Sequence, residues 1–251
     1  MSAKPLHGRR AFVTGGSRGI GRAVATQLIA DGAEVFITSR QEAATLRTAA
    51  ELRCTALVAD VTDRAAMERA LAAAGPIDIL VNNAGIALSL PFAKTAAEDW
   101  DHVIAVNLTG AFWGCRLALP GMAARGWGRV VNIASTAGLK PYLYTAAYCA
   151  AKHGLIGLTR GLALEYARKG VTVNAVCPGF TDTDIAQQAI EVIAAETGRG
   201  AAEARAALER LNPQNRLTDP DEVAAAVAFL CRPESHGITG QALIIAGGEV
   251  M

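Results

Sequence analysis

Seven short apolar runs, most of them separated by stretches of helical periodicity, constrain this chain more than any other feature. They begin at Arg10, Glu34, Thr55, Ile77, Gly128, Val171 and Ala242. Most are continuous rather than alternating, the pattern of strands buried on both faces, and strands that alternate with helices make a parallel sheet covered on both sides. The predicted fold is therefore α/β, a Rossmann-like doubly wound sheet. In such sheets a ligand crevice lies outside the carboxyl ends of the strands. The 251 residues suit one large domain spanning 1–251 better than two small ones, and no internal repeat or linker divides them.

Composition narrows the class. A net charge of +1 without long basic runs gives no support to a nucleic-acid or anionic-membrane partner. Five scattered cysteines, with no C-x-x-C spacing, read as reduced thiols rather than a disulfide framework, and no His/Cys cluster suggests a metal. The amino terminus has no apolar leader core and no apolar run reaches spanning length, so the expectation is a soluble, cytoplasmic protein.

Chemistry-bearing residues gather at the predicted strand ends. The first strand runs into Gly15-Gly16-Ser17-Arg18-Gly19-Ile20-Gly21 and then a helix. Glycines there let backbone approach a pyrophosphate, which rests on the helix amides, although the spacing is G-x-x-x-G-x-G rather than G-x-G-x-x-G. The second strand ends in Ser39-Arg40 with no carboxylate, which favours the 2′-phosphate of NADP(H) over the 2′-hydroxyl of NAD(H), with Arg18 a second guanidinium on that phosphate. At the third end, Asp60-Val61 either meets the adenine edge or caps the helix beginning near Asp63. The fourth ends in Asn82-Asn83-Ala84-Gly85, amides that need partners if buried. The fifth ends at Ser135 and the sixth at Pro178-Gly179.

Two helices carry further candidates. From Thr145 to about Arg168 the pattern is helical and places Tyr148 and Lys152 on one face. At roughly 5 Å and an effective dielectric of about 20, an ammonium favours phenolate by about 3 kcal/mol, enough to bring a phenol from about 10 towards neutrality. Such a tyrosine serves as general acid or base. Asn107 interrupts the long stretch from Asp99 to about Arg125, either as a structural hydrogen-bonder or as part of a proton relay. After the sixth strand, residues 180–217 break the rhythm with two amphipathic helices, one capped by Thr181-Asp182-Thr183-Asp184 and one over 201–211, a candidate lid or a surface excursion. Asp219-Pro220-Asp221-Glu222 matches a capping box.

Taken together the chain resembles the short-chain dehydrogenase/reductase family, in its compact single-domain branch, over essentially its whole length. The residues that carry the likeness are Thr14-Gly15-x-x-x-Gly19-x-Gly21, Asn82 to Gly85, Asn107, Ser135, Tyr148-x-x-x-Lys152 and Pro178-Gly179. The resemblance implies a seven-stranded sheet, a nicotinamide cofactor and hydride exchange between alcohol and carbonyl. Tyr148 would give its proton to the carbonyl oxygen that Ser135 holds. Lys152 would bind the nicotinamide ribose and Asn107 anchor a relay water. Asn83 to Gly85 would lie along the cofactor, with Pro178, Gly179, Thr181 and Thr183 flanking its carboxamide. It also implies a homotetramer built on the Asp99 and Thr145 helices.

For substrate, Leu88, Tyr142, Leu143, Tyr144 and Phe180 suggest an apolar or aromatic ketone. The segment from Val173 to Phe180 resembles ketoreductases of fatty-acid and polyketide type and hydroxyacyl-CoA dehydrogenases, which implies a β-keto thioester. The alternatives are an NAD-dependent secondary-alcohol or 3-hydroxyacyl-CoA dehydrogenase working oxidatively, and a non-catalytic NADP-sensing protein.

Overall fold

The computed structural model describes residues 4–198 and 200–251. Met1 to Ala3, part of the amino terminus considered above, and Arg199, within the 180–217 stretch, lie outside the described residues. The strands are β1 (Arg10–Thr14), β2 (Glu34–Ser39), β3 (Thr55–Val58), β4 (Ile79–Asn82), β5 (Gly128–Ile133), β6 (Val171–Pro178) and β7 (Ala242–Ile245). All pair in parallel, in the order β3-β2-β1-β4-β5-β6-β7. The seven-stranded doubly wound sheet expected from the apolar runs is present. Every residue of β4, β5 and β6 is buried, which is why these strands show no polar alternation.

The chain leaves β1 towards β2 and β3, then returns to β4 on the other side of β1. That reversal is the switch point where a crevice opens. The helices are α1 (Gly19–Ala30), α2 (Glu42–Leu52), α3 (Arg64–Ala74), α4 (Ala97–Ile104), α5 (Gly110–Ala124), α6 (Ala146–Tyr166), α7 (Asp184–Thr197), α8 (Ala201–Glu209) and α9 (Pro220–Cys231). The box predicted at Asp219 is formed, its carboxylate accepting from the Asp221 amide at 2.8 Å and Glu222 from the Asp219 amide at 2.8 Å.

One expectation fails. With the π-helical turn Ala105–Thr109 between them, α4 and α5 make one 28-residue helix, long and apolar enough by count to cross a membrane. Polar residues such as Asn107, Thr109 and Arg116 hide that length from a search for unbroken apolar runs. Half of its most apolar window is buried, and it packs on β4, β5, α3 and α6, as the core helix of an α/β fold does.

Between sheet and α6 the apolar core is crossed by one polar chain. Asn82 of β4 donates to Asn132 of β5 at 2.8 Å, Asn132 donates to Thr159 of α6 at 2.9 Å, and Thr159 donates to the Leu155 carbonyl at 2.8 Å. All three side chains are buried. The chain ties the fourth and fifth strands to the helix that carries Tyr148.

Candidate active site at the carboxyl ends of the strands

The turn after β1 needs its glycines. Gly15 has φ +65° and Gly19 φ +51°, a region that glycine enters freely. A Cβ on Gly21 would lie 2.2 Å from the Gly15 carbonyl oxygen and 2.4 Å from Nδ2 of Asn83. No side chain caps the start of α1 and no acid stands in its first turn. Its leading amides are thus free of chain partners, the arrangement that receives a phosphate. These residues fit a dinucleotide.

Asn83 explains how the turn is held. Its Nδ2 donates to the carbonyls of Thr14 at 2.9 Å and Gly15 at 3.1 Å, while the amides of Asn83 and Ala84 donate to the Thr14 hydroxyl at 2.9 and 3.0 Å. The side chain predicted to lie along a cofactor is spent on bracing the cradle, so its contribution there is positional. Thr14 braces as well, a role that its place inside the glycine motif does not announce. Ser17 is fixed by Thr48, whose hydroxyl donates to its carbonyl at 2.8 Å.

At the neighbouring tips, Asp60 does not cap α3. Its carboxylate accepts from the amide and hydroxyl of Thr62 at 2.9 and 2.8 Å, and Asp63 takes the cap, accepting from Ala66 at 3.1 Å. Val61 is buried beneath Gly110. The Ser39 hydroxyl accepts from the Gln41 amide at 3.1 Å, and Arg40 is exposed with no ion pair among the described residues. Arg18 is also exposed, but its Nη1 lies 2.5 Å from Oδ2 of Asp184 on α7. The two arginines assigned to one phosphate therefore differ: Arg18 already has an anionic partner.

Across the crevice, Ser135 stands just beyond the end of β5, and its hydroxyl accepts from the Ala137 amide at 3.1 Å. Tyr148 and Lys152 share a face of α6, with Nζ 5.6 Å from the phenol ring centre. Lys152 is buried and donates to the Ile133 carbonyl at 2.8 Å. A Cβ on Gly85 would meet Oδ1 of Asn107 at 2.9 Å and Nζ of Lys152 at 3.7 Å, so Gly85 leaves the space between them open. Asn107, inside the π turn, accepts from the Ile86 amide at 3.2 Å and donates to the carbonyls of Ile86 and Val103, both at 3.0 Å. Its side chain thus braces the π turn against Ile86, in keeping with the structural reading, while Oδ1 keeps one lone pair towards Gly85.

The expected electrostatics are overturned. Burial pushes the Tyr148 phenol up to about 12, against the Ser135 hydroxyl, which favours the phenolate. Burial lowers Lys152 to about 8. Coulomb attraction between ammonium and phenolate is only half of the balance, because desolvation acts on both groups and here dominates. At neutral pH the phenol is a proton donor.

The remaining predicted residues lie around this pair. Leu88 packs with Val103, Ala147 and Ala151 beside Tyr148. Tyr142 is half-buried, and its ring meets Phe180 edge-on at 5.9 Å. Tyr144 is exposed with φ +63°, and its carbonyl accepts from the Leu90 amide at 2.8 Å, so its backbone rather than its ring is what the fold holds. Gly179 donates to the Ile245 carbonyl at 3.0 Å, holding the end of β6. Thr183 comes to 3.2 Å from where a Gly19 Cβ would stand, joining the lid segment to the glycine turn, and Thr181 is buried and bridges to Thr218. Sequence reasoning missed Glu249 and Lys140, which lie against Tyr142. With 107 positions between Glu249 and Tyr142, no local pattern announces that contact.

A doubly wound sheet with this cradle and this acid-base pair defines a class: oxidoreductases that act on CH–OH groups with a nicotinamide cofactor. Residues 9–193 match the family model described as short chain dehydrogenase, and the chain belongs to that family. It is 38% identical to the D-beta-hydroxybutyrate dehydrogenase of Cupriavidus necator, over 98% of this chain and 99% of that protein. It is 41% identical to a putative ketoacyl reductase of Streptomyces coelicolor, over 95% of each. Among solved structures, a single-substitution variant of actinorhodin polyketide ketoreductase with NADPH superposes with a TM-score of 0.93 at 39% identity, covering 96% of this chain and 97% of that one.

Proposed function

We propose that the chain is an NADP(H)-dependent ketoreductase whose substrate is a β-keto (3-oxoacyl) thioester or a related apolar or aromatic ketone. The observation that carries the reading is the Tyr148 phenol hydrogen-bonded to Ser135 and set one turn from Lys152, whose ammonium lies beside Gly85 at the end of the strand next to the glycine turn. A bound nicotinamide supplies or accepts the hydride. Gly15 to Gly21 and the first turn of α1 take the pyrophosphate, and Arg40 takes the 2′-phosphate. Lys152 holds the nicotinamide ribose, with Pro178, Gly179, Thr181 and Thr183 beside the carboxamide. Ser135 donates to the carbonyl oxygen and Tyr148 gives up its phenolic proton to it. A phenol kept protonated at neutral pH suits reduction, whereas oxidation asks it to act as a base.

The oxidative dehydrogenase is the second reading, favoured by the likeness to the hydroxybutyrate enzyme. We place the protein in the cytoplasm, as one domain with 180–217 as a lid. A homotetramer is supported by exposed Trp100, Phe112 and Leu164 on the long helix and α6, where Gly157 and Gly161 leave room for close approach. Fluorescence titration with NADPH and NADH, followed by a panel of ketones, acyl thioesters and alcohols, tests the reading. Tighter NADPH binding with ketone reduction is expected. Binding without turnover on any of them would favour a sensing protein.

A further inference from the structure

Around Tyr142 lies a half-buried cluster that the hydride-transfer scheme does not use. The Tyr142 hydroxyl donates to Oε1 of Glu249 at 2.5 Å and lies 2.7 Å from the Thr136 hydroxyl. Nζ of Lys140 reaches the same Glu249 oxygen at 3.0 Å. The Glu249 side chain is only 2% exposed. Its other oxygen fits against Gly179, where a Cβ would stand 2.9 Å away. The carboxylate therefore touches the segment after β5, the loop before α6 and the end of β6 at once.

The route to this position is built into the backbone. Gly247 has φ +59° and Gly248 φ +96°, and the Glu249 amide closes the turn on the Ala246 carbonyl at 3.1 Å. A Cβ on Gly247 would fall 2.0 Å from Oδ1 of Asn212. Only glycine permits the turn that swings Glu249 inward. A carboxylate so deeply buried is costly unless charge and hydrogen bonds compensate it, and here Lys140 and Tyr142 do so.

We infer that Glu249 is a positioning residue for the carbonyl substrate: the segment after β7 fixes Tyr142, and through it Phe180, as one wall of the substrate pocket. With its hydroxyl spent on Glu249 and Thr136, Tyr142 offers a substrate only its ring. The wall thus selects ketones flanked by an apolar, aromatic or acyl group, and it stands apart from the Gly15–Gly21 turn assigned to the pyrophosphate. This inference rests on the ketoreductase reading.

The test compares wild type, Glu249→Ala, Glu249→Gln and the double variant Lys140→Met with Glu249→Gln, using NADPH and the best ketone of the panel. Losing a charge-assisted hydrogen bond at a buried site gives an expected rise in KM of about 10-fold in Glu249→Ala, with kcat within about 3-fold. Kd for NADPH, read by fluorescence, is expected to change by less than about 3-fold, because Glu249 meets the cofactor side only through Gly179. The double variant, in which neither charge is left alone, should recover most of the KM. A small ketone with no apolar arm should show a smaller rise. An unchanged KM in Glu249→Ala overturns the inference, as does a loss that falls on kcat or on NADPH binding instead. Absence of wild-type turnover would count against the ketoreductase reading itself, whereas wild-type turnover with an indifferent Glu249→Ala overturns this inference alone.

Discussion

The two sides of the crevice are held together by different physics. On the sheet side, the glycine turn, Asn83, Lys152 and the Asn82–Asn132–Thr159 chain are fixed by buried hydrogen bonds with 2.8–3.1 Å separations. On the lid side, α7 and α8 pack on a small core of their own, with Ala186, Ile190, Ala204, Leu208 and Leu217. Ion pairs tie this unit down: Arg18 to Asp184, with side chains 58% and 61% exposed, and Arg205 to Asp182 at 2.8 Å. An exposed pair contributes on the order of 0–1 kcal/mol, whereas stranding a buried polar group costs about 1–3 kcal/mol. The difference teaches that the residues proposed for the chemistry sit in a buried hydrogen-bonded frame, while the helices after β6 are fastened to that frame mainly by exposed ion pairs.

The sharpest break in that comparison is Tyr148→Phe. Removing the proton donor should lower kcat by about 10³-fold, within the range general acid catalysis supplies, while NADPH titration stays near wild type. Retained turnover would end the assignment. Next comes Arg40→Ala. Losing the guanidinium from the 2′-phosphate should shift the NADPH to NADH ratio of kcat/KM by about 10-fold or more, since charge-assisted contacts are the strong ones. If the ratio holds, Arg40 is not in the site.

A third prediction concerns stability. Lys152 titrates near 8 in the fold against 10.5 for the free side chain. Between those pH values the unfolded chain holds the proton and the fold does not, so this group makes stability rise with pH across that window and imposes its full penalty below it. Lys152→Met should therefore be more stable than wild type at pH 7, by about 3 kcal/mol at most. Thermal melts should show that gap closing as the pH climbs to the free side-chain value, with turnover lost throughout. A gap that is flat with pH would refute the buried-ammonium account. The smallest effect belongs to the lid. Asp184→Asn frees Arg18 for the 2′-phosphate, and NADPH affinity should improve by about 2- to 5-fold, in keeping with one exposed ion pair. Unchanged or weaker binding would show that Arg18 plays no part there.

Much of the fold is legible in the order of residues alone. Runs such as Ala11–Val13 and Ile79–Val81 are apolar because both faces of their strands are covered, and that alone predicts a parallel sheet. The site residues are legible because they stand at strand ends or one helical turn apart. Three things are not legible, each for a physical reason. The sign of the Tyr148 shift depends on how much water the fold removes, which spacing does not record. The partner of Arg18 lies 166 residues away, and that of Tyr142 lies 107 residues away. Asn107 sits in a π turn, whose signature is geometric rather than compositional.

The polar chain that crosses the core has one further consequence. Apolar strands are forgiving partners, because valine packs on isoleucine in almost any alignment. Two asparagines and a threonine are not. Sliding β5 past β4 by a single position would turn Asn132 to the opposite face of the sheet and leave the Asn82 amide and the Thr159 hydroxyl without their mates in a dry interior. Two hydrogen bonds thus act as a key cut for one alignment, and whatever stands at the ends of those strands, Ser135 included, inherits its height above the sheet from them.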